Sequence, residues 1–126
     1  MIQYFPIDTP ITGVDDPDLL LFNWQTSTAE FKCKDQTLSI TFAADVIVRM
    51  LDEFPLSTES DPDDRTGLIP LHFAYRVEGD AFMLSQSEVW RTQPRLLGEV
   101  LQHYRFMTYC GCLDVLSSST PLFAIR

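Results

Sequence analysis

The sequence predicts an α+β fold: an antiparallel sheet built from two hairpins plus C-terminal strands, with two amphipathic helices packed on one face. Three observations lead there. Apolar and polar residues alternate through residues 28–42 and again through 71–78, as half-buried strands require. After each alternating stretch the apolar spacing lengthens to the three- and four-residue steps of a helix. No glycine-rich phosphate loop follows a strand, so a nucleotide-binding parallel sheet is not expected.

Leu19–Trp24 lacks alternation and reads as a strand buried on both faces. In Thr28–Lys34, Ala29, Phe31 and Cys33 alternate with Glu30, Lys32 and Lys34. In Thr37–Phe42, Leu38, Ile40 and Phe42 alternate with Thr37, Ser39 and Thr41. Folding at Asp35-Gln36 pairs Cys33 with Leu38, Phe31 with Ile40 and Ala29 with Phe42, which places all six on one face. From Ala43 the stripe becomes Ala43, Ile47, Met50, Leu51 and Phe54, opposite Asp45, Arg49, Asp52 and Glu53. That pattern predicts an amphipathic helix ending before Pro55.

In the second hairpin, Leu71, Phe73, Tyr75 and Val77 alternate with His72, Ala74, Arg76 and Glu78. Gly79-Asp80 then turns the chain into Ala81–Leu84, with glycine suited to the first central position of a type II′ turn. Ser85-Gln86-Ser87-Glu88 reads as a capping box opening the second helix. The stripe of that helix is Val89, Trp90, Leu97, Val100, Leu101, Tyr104 and Met107; Pro94 either kinks it or starts it afresh. Leu113–Leu116 and Leu122–Ile125 are expected to form a last pair of strands.

Composition bounds the class. A chain of 126 residues, 45% hydrophobic and 12% aromatic, suits one packed domain over residues 1–126. No apolar run approaches the ~20 residues needed to span a bilayer. MIQYFPIDTP has no Lys or Arg before its apolar residues and is broken by prolines, so neither a secretory signal nor a transit peptide is expected. Three cysteines, an odd number, fit a reduced cytoplasmic protein. Nine basic against eighteen acidic residues give a net charge of −9. Nucleic acid and anionic membranes are therefore disfavoured as partners and a basic protein partner is favoured, although solubility alone would also account for the charge.

Cys110-Gly111-Cys112 raises the question of thiol chemistry. With Tyr109 in the last helical turn, Gly111 would close a Schellman motif and Cys112 would pack on Met107. A thiolate is disfavoured at a helix C-terminus, and His103 would lie about two turns, ~10 Å, from Cys110. Cys-x-Cys also departs from zinc-site spacing, and no second ligand pair is visible. A structural role is expected. Asp61, Asp63 and Gly67 resemble a calcium loop only superficially, because Arg65 holds the fifth position and His72 the twelfth. No metal or cofactor is expected.

His72, opposite Leu71 and Phe73, reads as a sheet histidine rather than a general base, and Gly-x-Ser-x-Gly is absent. Arg91 and Arg95 lie one turn apart on the polar face of the second helix, with Glu99 beyond. Phe106 falls on that polar face, so it is either covered by the sheet or a terminal strand, or part of an exposed contact patch. Gly98 would allow another backbone to approach, within the chain or across a homodimer.

These readings favour a small acidic binding protein (an adaptor, chaperone, inhibitor or immunity-type protein) acting through protein–protein contact. Its contact residues are expected to be Arg91, Arg95 and Phe106, with Glu59, Asp61, Asp63 and Asp64 steering a basic partner. The alternative is a small-molecule binder or enzyme with a pocket between sheet and helices, using His72 or His103.

Overall fold

A computed structural model of the chain describes residues 1–11, 15–95, 99–109 and 111–126, with the backbone alone of Glu53 and Phe54. The architecture is mostly β. Among the described residues, ten strands form two sheets: β1 (Ile2–Pro6), β2 (Asp18–Asn23), β3 (Thr28–Cys33), β4 (Gln36–Thr41), β5 (Val46–Leu51), β6 (Arg65–Thr66), β7 (Ala74–Glu78), β8 (Gln102–Met107), β9 (Cys112–Ser117) and β10 (Leu122–Ile125). The described helices are short: α1 (Glu53–Thr58), α2 (Ala81–Leu84) and α3 (Glu88–Arg91). The expected α+β layer of two long amphipathic helices is therefore overturned.

The larger sheet runs β5-β9-β8-β7-β1-β6 and the smaller β10-β4-β3-β2. All pairs are antiparallel except β1 with β6. The sheets face each other across one aromatic core. Phe31, Leu38, Ile40 and Phe42 from the smaller sheet meet Phe73, Ala74, Tyr104, Phe106, Leu113 and Val115 from the larger. Phe106 is fully buried, with its ring 6.0 Å from Phe31 and 6.4 Å from both Phe42 and Phe73. It is covered, not exposed.

The first hairpin buries the six residues expected on one face, but its register differs by two. Cys33 opposes Gln36, Phe31 opposes Leu38 and Ala29 opposes Ile40, around a turn at Lys34-Asp35. A two-residue slip preserves the face because side chains alternate with period two. β2 is an edge strand, bulged between Leu19 and Leu21, with Leu20 and Leu21 exposed rather than buried on both sides.

The first expected helix is β5, paired with β9 over six positions from Val46↔Ser117 to Leu51↔Cys112. Three successive β-branched residues, Val46, Ile47 and Val48, lose side-chain freedom in a helix and suit a pleated sheet. Helix α1 starts where one was expected to end. Pro55 sits in its first turn, where a missing backbone N–H costs no helical hydrogen bond. After β7, Gly79 takes φ +83°, but Asp80 caps α2 through an N–H donated by Phe82 at 2.9 Å, so 81–84 is not a strand.

The second expected helix lasts one turn. Ser87 caps α3, and Gln93, preceding Pro94, is disfavoured in the helical region. Gln102–Met107 is then β8, between β7 and β9. Gly111 belongs to the β8–β9 turn, where the Thr108 N–H donates to its carbonyl at 2.8 Å; no helix cap forms there. The last strands exist but do not pair: β9 joins the larger sheet and β10 crosses to β4. Gly98 and Cys110 lie outside the described residues.

Candidate functional site

The outer face of the larger sheet carries a buried ionic cluster. Alternation along β8 sends Tyr104 and Phe106 to the core between the sheets and His103 and Arg105 to the outer face; on β9 it does the same with Asp114. Asp114 accepts four hydrogen bonds. His103 Nε2 and Arg105 Nε each lie 2.7 Å from Oδ1, and Arg49 Nε and Nη2 lie 3.0 and 2.7 Å from Oδ2. Arg105 also donates to Asp80 at 3.2 and 3.0 Å and to the Tyr4 hydroxyl at 2.7 Å. Arg49 reaches Glu59 at 2.5 and 3.2 Å, with its guanidinium 4.5 Å from the Phe82 ring centroid.

Electrostatics follow from this arrangement. Burial alone would raise the Asp114 carboxyl, but the His103 hydrogen bond and the Arg105 and His103 charges hold it well below the usual carboxylate range. Burial works against the Arg105 charge, yet Asp114 outweighs it and keeps the guanidinium protonated. Burial and the nearby Asp114 carboxylate push the Cys112 thiol up, so it stays neutral. Burial likewise raises Cys33.

The His103–Asp114 pair has the partners of an acid–base dyad but not the access. His103 is 1% exposed, with Phe82 of α2 edge-on at 5.5 Å, and Asp114 has no exposed surface. His103 Nδ1 is the one buried side-chain polar atom without a partner among the described residues. No group of three or more His, Cys, Asp or Glu capable of holding a metal occurs among the described residues. The cluster fits a role in orienting α1, α2 and β5 over the sheet.

The accessible site is a cleft of about 470 Å³ on the same outer face, bounded by Leu56, Leu68, Ile69, Leu71, Met107 and Tyr109. Its wall is the 67–73 loop, and the sequence dictates the loop's shape. Gly67, at φ +93°, passes so close to β1 that a Cβ would meet the Tyr4 carbonyl oxygen at 2.0 Å. The buried Tyr75 hydroxyl accepts the Ile69 N–H at 3.2 Å and offers its one proton to the carbonyls of Ile69 (3.1 Å) or His72 (3.3 Å). His72 Nε2 donates to the Ile7 carbonyl at 2.9 Å, and its ring meets Tyr75 edge-on at 5.2 Å.

Those ties hold Leu71 at φ +62°, a conformation that bulky side chains rarely adopt. Leu71 is 67% exposed and Tyr109, across the cleft, 81%; Leu68 and Ile69 are also exposed. Four large apolar side chains thus project around one concavity, with Asp16 at its edge.

The residues singled out in the sequence do not form one site. Arg91 donates to the Gln86 carbonyl at 3.2 Å, and Arg95 stacks 5.3 Å from the Trp90 ring centroid. Phe106 is core. Glu59 is tied to Arg49 in the ionic cluster. Asp61, Asp63 and Asp64 are exposed, but Asp61 caps the turn over Pro62–Asp64 through the Asp63 N–H at 2.9 Å. His103 is walled in, and the Nε2–H of His72 is spent on Ile7. Sequence reasoning missed the cleft because Leu71 was counted into a strand that begins only at Ala74. The available signal was the non-alternating run Gly67-Leu68-Ile69-Pro70-Leu71.

No protein-family model matches the chain, and neither does any curated protein or solved structure. None of the described helices is long and apolar enough to cross a membrane.

Proposed function

We propose that this chain is a small acidic binding protein that acts through protein–protein contact, as adaptors, chaperones, inhibitors and immunity-type proteins do. The supporting observation is the open apolar cleft. A loop tied down by Tyr75 and His72 presents Leu68, Ile69 and Leu71 to solvent, facing Tyr109. Exposed apolar side chains grouped around a concavity are costly in water unless a partner covers them. Leu71 in a strained conformation adds to that cost, and strain of this kind concentrates at binding sites.

The partner chemistry follows from the surroundings. It would bring one or two apolar or aromatic side chains to the cleft and a basic surface toward a chain of net charge −9. That charge disfavours nucleic acid as the partner. Two buried, unbridged cysteines, Cys33 and Cys112, suit the reducing cytoplasm. The chemistry of a small-molecule enzyme has less support, since His103 is walled in and His72, which lines the cleft, is the one histidine that could serve there, through the Nδ1 left when its Nε2–H is donated to Ile7.

The test is affinity capture of the partner from the native source, followed by cross-linking and mass spectrometry. Cross-links are expected at residues 67–72 and around Tyr109. Cross-links confined to other surfaces would refute this reading.

A further inference from the structure

The larger sheet ends in an edge, β5, that no other described strand covers. β5 pairs with β9 on one side and with no other described strand. The other three sheet edges carry some protection. β6 is two residues long, β10 four, and β2 is broken by its bulge. β5 is six residues long, regular in register, and contains no proline, lysine or bulge. Its outer backbone groups therefore form a template for another strand.

The side chains along that edge say what strand fits. Val46 and Val48 lean into the core, while Met50, on the same face, is 47% exposed. Beside it, exposed Trp24 of the smaller sheet's edge lines a shallow depression with Ala44, Asp45 and Val46, and Leu19 lines another with Met50, Leu51 and Asp52. Each end of the seam between β2 and β5 thus sets apolar side chains beside a carboxylate, Asp45 at one end and Asp52 at the other. Exposed carboxylates bracket β5, Asp45 before it and Asp52 after it. The only cation within β5, Arg49, is held by Asp114 and Glu59. Arg95 borders Asp45 but donates to the carbonyls of Gln93 and Trp90.

We infer that β5 is a second interaction surface, separate from the cleft, which receives an extended segment of a partner protein by strand addition. That segment carries alternating apolar residues with Lys or Arg at both ends. A second copy of this chain is the poorer occupant. An antiparallel β5–β5 pair centred on Val48 and Arg49 would set Asp45 against Asp52 at both ends, between two molecules each of charge −9.

The test uses the full chain and a fluorescent decapeptide of alternating valine and threonine with two lysines at each end. Anisotropy is expected to show binding, and hydrogen exchange to slow at residues 46–51 but not at 67–72. Methylating alternate backbone nitrogens on the strand-pairing side should abolish binding, since main-chain bonds carry the affinity. Asp45→Lys/Asp52→Lys should weaken the lysine peptide by about tenfold or more and favour a glutamate-ended version instead. Both positions are exposed, and an unchanged melting temperature verifies the fold. Equal binding by the methylated peptide, protection elsewhere than β5, or sedimentation showing a dimer that slows exchange at 46–51 would overturn the proposal.

Discussion

Asp114 is where a single residue decides most. It is fully buried, and its two oxygens receive donors from β5 and β8. Asp114→Asn would leave Arg105 and Arg49 without their shared counter-charge inside the protein, a change that costs about 3–5 kcal/mol. The pH dependence has a definite sign. Because its carboxyl titrates below the usual range when folded, the unfolded chain binds more protons as acid is added. The stabilisation is complete above about pH 4, near the unfolded value, and is lost as pH falls toward the folded one. Urea midpoints measured from neutral pH down to about pH 2 should fall steeply for the native chain and less for Asp114→Asn. Equal slopes would remove Asp114 from the acid response. Cys112 gives an independent check. It is buried beside that cluster with its thiol neutral, so Cys112→Ser should cost about 1–3 kcal/mol while partner binding is kept. An unchanged melting temperature with lost binding would instead make the thiol functional.

At the scale of elements, central and edge strands should respond differently to truncation. Phe106→Ala in β8 opens a cavity among Phe31, Phe42 and Phe73 and should cost about 3–5 kcal/mol without altering association. Leu20→Ala in exposed, bulged β2 should stay within about 0.5 kcal/mol. Chemical denaturation of both variants, with sedimentation of the first, checks this. The same contrast explains what could be read in advance. β3 and β4 alternate apolar and polar residues because one face is core and the other solvent, so their shared face was legible. The register was not, because a two-residue slip leaves every side chain on the same face. β8 alternates too, Tyr104 and Phe106 against His103 and Arg105, but both faces are buried and the polar one lies on a salt-bridged cluster. Its residues then joined a helical stripe with Val100 and Leu101, and Phe106 stood out as misplaced. β5 hides its period for a related reason: at its C-terminal end Met50 and Leu51, on opposite faces, are both apolar and border a shallow depression with Leu19, so no clean alternation remains. The cleft was illegible because its wall depends on Tyr75 and His72 binding backbone groups six and sixty-five residues away.

At the scale of the whole molecule, the acidic excess survives folding. Arg49, Arg76, Arg105 and Arg126 are ion-paired within the chain, which leaves carboxylates to dominate the field outside. Asp61, Asp63 and Asp64 are exposed on one turn near α1. Replacing all three with Asn, which preserves the Asp61 cap, should slow association with a basic partner and flatten its salt dependence while barely changing dissociation. An association rate indifferent to the change would make that turn solubilising surface only. The cleft should show the opposite signature, because apolar contacts in a desolvated pocket set residence time. The most direct measurement is therefore the dissociation rate of the captured partner from the native chain and from Ile69→Asp/Leu71→Asp. Both side chains are exposed, so melting temperature should hold, while dissociation should accelerate by about tenfold or more. An unchanged dissociation rate with an intact fold would contradict the cleft as the contact surface.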